Sequence, residues 1–212
     1  MKKYFVDKNS DKLLLFFTGW GCDEYEFEHL EADSDILYFY DYIDLNYNFD
    51  FSKYKEINLI AFSAGVFVAS VLDFDLKINK KIAISGNPYL FDEELGLSKE
   101  VQTMLCNVTE ENADDFAKNY LVKTEEEYKK FHNSHRTVES CISEFESLKK
   151  LYERNFDRIK DIYDTAIISD GEPLFNPDAQ KRFYGERARI VQNARHNIFF
   201  RIERYEDIFD IK

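Results

Sequence analysis

The sequence predicts an α/β protein whose mostly parallel sheet has helices on both faces and an inserted helical cap. Two observations favour this fold class. Short runs of consecutive apolar residues alternate with helical segments, which is typical of parallel strands buried on both faces. The alternation stops between about residues 96 and 160, where no strand-like run occurs, and then resumes. The length of 212 residues suits a single domain, 1–212, with 96–160 as the cap.

The first part of the chain predicts four strands and two helices. The apolar run "LLLFF" leads into Gly-Trp-Gly, which indicates a buried strand with a glycine-rich exit. Residues 64–72 are apolar nearly all round and predict a buried helix, whereas the acidic segment 23–30 predicts a short helix. The strands predicted in this part are 13–17, 36–40, 57–62 and 81–85.

The later part of the chain predicts the cap helices and the end of the sheet. Charged segments with apolar residues at every third or fourth position predict the cap helices, and Thr124 with Glu127 resembles a capping box. These helices are expected at 100–106, 110–120, 125–132 and 138–152. After the cap, apolar runs predict strands at 165–169 and 188–192, with a helix at 177–184 between them.

Charge and cysteine content narrow the class of protein. The net charge of −13 disfavours a nucleic-acid-binding protein, because such proteins are usually basic. The three cysteines form no CxxC pair and have no metal-ligand spacing, which indicates reduced thiols in a cytosol. No apolar run approaches the roughly 18 residues of a membrane span, and the first residues become charged too early for a signal peptide. We therefore expect a soluble cytoplasmic protein.

Ser63 is the candidate nucleophile. It lies between a predicted strand and a predicted helix in Ala-Phe-Ser-Ala-Gly. A nucleophile elbow needs a serine in a strained turn of this kind, and its usual pattern is G-x-S-x-G, so Ala61 is a departure that keeps a small side chain. The free amides at the start of the helix favour negative charge near the serine. The alternative is that Ser63 only caps this helix.

A histidine and an acid follow Ser63 in the chain order of a serine hydrolase of this sheet type. His196 is the histidine that lies just past a predicted strand end, where active sites of parallel sheets form. The loop after the preceding strand offers Glu172, which we favour, and Asp170 as the second candidate. Either carboxylate can orient a histidine and stabilise its protonated form. Asp178 is expected to cap the helix that follows.

The oxyanion site is predicted in the loop after the first core strand. Glycines on both sides of Trp20 favour a close backbone approach, and the Trp20 amide paired with the Ala64 amide would polarise a carbonyl group. Packing of the Trp20 ring is the alternative explanation. The sequence contains no HExxH, Walker or GxGxxG motif, so we expect neither a metal nor a cofactor.

Four longer stretches carry a family resemblance: "LLLFFTGWGCDEYEFEHL", "YFYDYIDLNYNFDFSKYKEINLIAFSAGVFVA", "AIISDGEPLFNPDAQKRFY" and "ARHNIFF". They resemble the BioG type of pimeloyl-acyl-carrier-protein methyl ester esterase, a group of α/β-hydrolases of biotin synthesis. The resemblance covers most of the chain, including both flanks of the cap. It implies that Ser63 is the nucleophile, His196 the general base and Trp20 the oxyanion-loop residue. The group usually has aspartate where this chain has Glu172.

The resemblance also implies a reaction and a partner. The group hydrolyses the methyl ester of a pimeloyl chain held on acyl carrier protein, and a cap rich in Phe, Tyr and Leu suits an aliphatic chain. Because this carrier is acidic, an acidic enzyme, expected to be a monomer, must meet it with a basic patch. The alternatives are an esterase or thioesterase for another acyl substrate and a non-catalytic acyl-carrier-binding protein. The candidate docking residues are those of the basic segment 181–204 and Lys149, Lys150, Arg154, Arg158 and Lys160.

Overall fold

A seven-stranded sheet forms the centre of the protein in the computed structural model, which describes residues 1–131 and 134–211. The strands are β1 (Lys2–Val6), β2 (Lys12–Phe17), β3 (Asp35–Tyr40), β4 (Glu56–Phe62), β5 (Lys80–Ile84), β6 (Thr165–Ser169) and β7 (Ala188–Val191). Their order across the sheet is β1-β3-β2-β4-β5-β6-β7. Only β1 pairs antiparallel, with β3, and the other neighbours are parallel. The predicted mostly parallel sheet is therefore confirmed.

Helices connect the strands and cover the sheet. They are α1 (Ala64–Ser70), α2 (Lys99–Cys106), α3 (Ala113–Phe116), α4 (Glu125–Lys130), α5 (Val138–Asn155) and α6 (Pro177–Tyr184). Short 3-10 turns occur at Glu24–Phe27, Phe156–Arg158, Gly185–Arg187, Phe199–Arg201 and Tyr205–Asp210. None of the helices that the structure describes combines the length and apolarity needed to cross a membrane.

The continuous apolar runs form strands because both faces of the sheet are buried. In β2, Leu13, Leu15 and Phe17 belong to one core cluster, whereas Leu14 and Phe16 belong to the cluster on the opposite face. A strand that alternates between two cores has no polar face, so its sequence is apolar throughout. This is the physical reason that the sequence pattern predicted these strands correctly.

Three elements differ from the sequence-based expectation. The edge strand β1 was not predicted, because most of its side chains are exposed and its sequence lacks an apolar run. The acidic helix expected at 23–30 is only the 3-10 turn Glu24–Phe27, which Asp23 begins by accepting a hydrogen bond from the Tyr25 amide at 3.1 Å. The helix expected at 110–120 is divided into α3 and a π-type turn at Ala117–Leu121.

Residues 96–160, which we call the cap segment, form helices and no strand within their described part. The capping box at the start of α4 is confirmed: the Glu127 amide donates to the Thr124 hydroxyl at 3.1 Å, and the Thr124 amide donates to the Glu127 carboxylate at 3.4 Å. The end expected for this helix, His132, lies outside the described residues. That the segment is an inserted cap on a single domain stays a prediction.

Candidate active site

Ser63 occupies a strained turn between β4 and α1. Its backbone has φ +53° and ψ −120°, a conformation that residues other than glycine rarely adopt. The Ser63 amide donates to the carbonyl of Ile84 at 2.9 Å, which ties the turn to the end of β5. Its side chain makes no capping hydrogen bond with α1, contrary to the helix-cap alternative. The Ser63 hydroxyl group is therefore not engaged by the backbone of the helix.

The small residues around Ser63 allow this turn to pack against β2. A Cβ atom on Gly65 would lie 2.6 Å from the Thr18 carbonyl oxygen, so glycine is required at that position. Gly86 is equally confined, since its Cβ would lie 2.5 Å from the Ser63 carbonyl oxygen. Ala61, where the motif usually has glycine, is fully buried in β4 and is accommodated there.

His196 and Glu172 form a buried pair. The imidazole Nδ1 lies 2.9 Å from Glu172 Oε1 and 2.8 Å from Oε2. Because a carboxylate only accepts, Nδ1 carries the proton and donates it, which leaves Nε2 as the basic nitrogen. Oε1 also accepts hydrogen bonds from the amides of Leu174 at 2.8 Å and Phe175 at 3.3 Å. These two backbone contacts hold the Glu172 carboxylate in the orientation in which it binds the histidine.

Asp170, the second acid candidate, faces a different group. It is exposed and accepts a hydrogen bond from the Ala194 amide at 3.2 Å. Hydrogen bonds from the backbone, at Asn193 first and at Ala194, hold the pKa of Asp170 below its usual value. Asp170 therefore binds the backbone of the loop that leads to His196, and the imidazole contact belongs to Glu172.

The expectation that Asp178 caps α6 is wrong, because Asn176 accepts from the amides of Asp178 at 3.0 Å and Ala179 at 3.2 Å.

A cavity of about 320 Å³ opens above these groups. Ser63, His196, Trp20 and Ala64 all line it, so the structure brings these four predicted site residues together, with Glu172 behind the histidine. Most of the wall is apolar and comes from the cap segment, including Leu105, Phe116, Leu121, Ile142, Phe145 and Leu148. The cavity suits an apolar chain that ends beside the serine.

The loop of Trp20 is anchored to the cap segment as well as to the sheet. The Trp20 indole Nε1 donates to the Cys141 carbonyl at 2.7 Å, and its ring meets Phe145 edge-on with centroids 5.6 Å apart. Ala64 is the first residue of α1, so its amide has no acceptor within the helix. The two amides proposed for oxyanion binding thus lie on the wall of one cavity, whereas their catalytic role stays a prediction.

Sequence reasoning missed a polar cluster beside this loop. Glu144 is fully buried and accepts hydrogen bonds from the amides of Gly21 at 3.0 Å and Tyr42 at 2.9 Å. Arg136 donates to Glu144 at 2.5 Å and to Asp41 at 2.7 Å. Burial raises the pKa of Glu144, although Arg136 and the two amides act in the opposite direction. The sequence signal was a glutamate within an apolar stripe of α5, between Cys141 and Leu148.

The basic segment 181–204 is largely neutralised by local acids. Ion pairs join Lys181 to Asp178, Arg182 to Glu94, Arg187 to Asp161, Arg201 to Glu127 and Arg204 to Asp33. Arg158 and Lys160 both pair with Asp73. Within the described part of the chain, Lys149, Lys150 and Arg154 have no such carboxylate partner, and the Lys149 ammonium lies 4.7 Å from the centre of the Phe145 ring. Of the docking candidates, the described cations without a carboxylate partner are these three side chains of α5 together with Arg189 and Arg195, and Arg189 donates instead to the carbonyls of Glu186 and Ala188.

Glu26 is a buried acid on the cavity wall. It is 4% exposed and lies beside Cys22. Burial raises the pKa of Glu26 from its ordinary value of 4.5 to about 8, despite a hydrogen bond with Cys22 that lowers it.

No group of three or more His, Cys, Asp or Glu that could hold a metal ion occurs among residues 1–131 and 134–211.

Glu26→Gln is expected to make the free energy of unfolding less dependent on pH. Because the carboxyl keeps its proton in the folded protein after the unfolded chain has lost it, stability falls as pH rises from about 4.5 to about 8. The slope is about 1.4 kcal/mol per pH unit in that window. Urea unfolding of the wild type and the variant at several pH values measures it. The exposed Glu28→Gln is the control, and parallel curves for E26Q and wild type would contradict the expectation.

Comparison with known proteins places these features in a family. The family model for pimeloyl-ACP methyl esterase BioG matches residues 1–208. A curated protein of Haemophilus influenzae, described as uncharacterized, is 28% identical over 217 residues, covering 99% of this chain and all of that one. A malonyl-[acyl-carrier protein] O-methyltransferase of Bacteroides fragilis is 28% identical over 186 residues. That match covers 84% of this chain but only 38% of the methyltransferase.

Solved structures give the same result. The crystal structure of BioG from Haemophilus influenzae superposes with a TM-score of 0.85 and 26% identity, over 99% of this chain and all of that one. A lipase-esterase related protein of Clostridium acetobutylicum shares the fold, with a TM-score of 0.64 and 20% identity over 99% of each chain. The fold is that of the α/β-hydrolases, and the chain belongs to the family of the pimeloyl-ACP methyl esterase BioG.

Proposed function

We propose that this protein is a serine carboxylesterase that hydrolyses the methyl ester of pimeloyl-acyl carrier protein. The observation that carries the proposal is the shared cavity: the strained Ser63 and the Glu172-oriented His196 line one apolar chamber. Family membership supports the choice of substrate, and the α/β-hydrolase fold supports the choice of reaction. An acidic chain with a half-buried serine on a helix N-terminus suits ester chemistry better than nucleic-acid binding.

The proposed mechanism begins with attack by Ser63. Its Oγ forms a bond to the ester carbonyl carbon while His196 Nε2 takes the hydroxyl proton, and the amides of Trp20 and Ala64 bind the oxyanion. The tetrahedral intermediate collapses as His196 returns the proton to the methoxy oxygen, so methanol leaves and the acyl group stays on Ser63. Water then attacks this acyl-enzyme with His196 as base again. The product is the free carboxylic acid, and Glu172 holds the imidazole throughout.

The substrate's attachment to a carrier protein has independent support. The Bacteroides fragilis relative is named for O-methylation of malonyl-acyl carrier protein, a reaction that makes a carrier-bound methyl ester. The match with this chain covers only 38% of that relative. A protein that removes such a methyl group would act on the same class of compound. We propose that the acidic carrier docks near the cations of α5 that lack acid partners, that the enzyme acts as a monomer, and that it works in the cytoplasm.

Hydrolysis of purified pimeloyl-carrier methyl ester tests the proposal. We expect loss of the ester methyl group by mass spectrometry, with kcat/KM about 100-fold or more above that for a short free methyl ester, because the acyl chain and the carrier add binding energy. The matched comparison is a carrier-bound acyl thioester without a methyl ester. Faster cleavage of the thioester would favour a thioesterase, and binding of the carrier without any cleavage would favour the non-catalytic alternative.

A further inference from the structure

The loop that carries the Trp20 amide is held from outside the sheet, by the cap segment. The Gly21 amide donates to Glu144 at 3.0 Å, and the Ser134 hydroxyl donates to the Gly21 carbonyl at 2.6 Å. Together with the indole bond to Cys141, three hydrogen bonds reach Trp20 and Gly21 from residues more than a hundred positions later in the chain. The peptide that carries the predicted oxyanion donor thus takes its position partly from the cap.

Glu144 is the central group of this attachment. Its Oε2 binds the loop after β2 through Gly21, and its Oε1 binds the loop after β3 through the Tyr42 amide at 2.9 Å. Both loops leave the carboxyl ends of parallel strands, where the cavity opens. One carboxylate that accepts from two loops sets their separation, since neither amide can move without losing its acceptor.

The charge of Glu144 is balanced within the cluster. The side chains of Glu144 and Arg136 are 0% and 5% exposed, and their atoms lie 2.5 Å apart. Arg136 also binds Asp41 at 2.7 Å, and Asp41 has a positive φ of 54° at the exit of β3. A buried carboxylate without its cation would be strongly disfavoured, so Arg136 is what allows Glu144 to act as a charged acceptor.

We infer that Glu144 is a positioning residue that fixes the oxyanion loop from α5, through the amides of Gly21 and Tyr42. This inference rests on the proposed function in one respect: the Trp20 amide must stabilise the transition state. Glu144 itself is not among the residues that line the cavity. Its effect is therefore expected in kcat rather than in KM, because a displaced donor weakens binding of the transition state alone.

Glu144→Gln tests the inference. A glutamine oxygen can accept from one of the two amides, but its NH₂ group then faces the other amide or Arg136, and the loop must shift. Misplacement of a catalytic group by about 1 Å costs about 100-fold, so we expect kcat to fall about 100-fold with KM changed less than about threefold. Glu146→Gln, exposed on the same helix, is the control and should match the wild type.

Trp20 reports the loop position without any activity assay. It is the single tryptophan of the chain, so the tryptophan fluorescence, excited selectively over the tyrosines, arises from this loop alone. E144Q should shift the emission to longer wavelength and increase acrylamide quenching, whereas E146Q should do neither. If E144Q does not fold, Glu144→Asp replaces it: the charge stays, but the shorter side chain cannot reach both amides, and a kcat loss of about tenfold is expected.

The activity arm uses p-nitrophenyl butyrate, an activated ester that does not depend on the carrier. If the wild type cleaves this ester but not the pimeloyl-carrier ester, the proposed substrate is wrong and the inference about Glu144 is still tested. Unchanged kcat and unchanged Trp20 emission in a folded E144Q or E144D variant would overturn the inference. A rise in KM with kcat unchanged would overturn it as well, because it would assign Glu144 to substrate binding.

Discussion

Ser63→Ala is expected to lower kcat for ester hydrolysis by about 10⁴- to 10⁶-fold, with the fold retained. The loss is this large because the remaining groups cannot form the acyl-enzyme, and serine hydrolases without their nucleophile keep only the catalysis of the oxyanion site. The fold should persist because the Ser63 side chain makes no capping hydrogen bond. Turnover of pimeloyl-carrier methyl ester by purified variant, with circular dichroism as the check on folding, measures the effect.

Ser63→Gly is the matched variant for this experiment. Glycine adopts a positive φ without steric cost, so relief of the strain at +53° should raise the free energy of unfolding by about 1 kcal/mol, while activity is lost as completely as in S63A. A gain in stability with a loss of activity is the signature of strain held at a reacting group. A folded S63A protein with activity within tenfold of the wild type would exclude Ser63 as the nucleophile. Labelling of the wild type by a fluorophosphonate at Ser63 is the complementary observation.

The sheet could be predicted from the sequence because burial on both faces leaves a strong local pattern. The run at β2 is apolar at every position after Lys12, and both of its neighbours, β3 and β4, pair with it in parallel. The edge strand β1 carries no such pattern, because only one neighbour pairs with it and its side chains face solvent. A strand of this kind is defined by its partner β3, which lies more than thirty residues later.

The sequence favoured Glu172 as the acid but left Asp170 open, because the two carboxylates share one loop. Asp170 and Glu172 are separated by a single glycine, and the direction of the turn decides which of them faces His196. In the structure, the amides of Leu174 and Phe175 turn Glu172 inward, and the Ala194 amide keeps Asp170 outside. These contacts depend on the backbone geometry of the loop, which residue type and spacing do not determine.

The contacts of the Glu144 cluster could not be predicted from the sequence for a different reason. Its contacts with the loops after β2 and β3 join residues 95 to 123 positions apart, and each charged member looks like a surface charge when it is considered alone. The apolar stripe of α5 indicates a buried position for Glu144, but its partners follow only from the meeting of α5 with the loops after β2 and β3.

Glu172→Gln is expected to lower kcat about 10⁴-fold, because it reverses the histidine tautomer. The glutamine oxygen will keep the position of Oε1, where the amides of Leu174 and Phe175 donate. Its NH₂ group must then occupy the position of Oε2, 2.8 Å from the imidazole Nδ1. A donor there opposes a proton on Nδ1, even though the oxygen at the Oε1 position, 2.9 Å from Nδ1, can still accept it. The variant therefore favours the tautomer with its proton on Nε2, which can no longer take the proton of Ser63.

Two further variants separate the acids in the same kinetic assay. Glu172→Asp keeps the charge but shortens the side chain, so a partial loss of about 10- to 100-fold in kcat is expected from the weaker hold on His196. Asp170→Asn can still accept from the Ala194 amide and should keep activity within about threefold of the wild type, since loss of an exposed charge has a small effect. If instead D170N were as inactive as E172Q is expected to be, and E172Q were active, the orienting acid would be Asp170. The 2.8 Å contact between Glu172 and His196 would then be structural, and the general base would need another source of orientation.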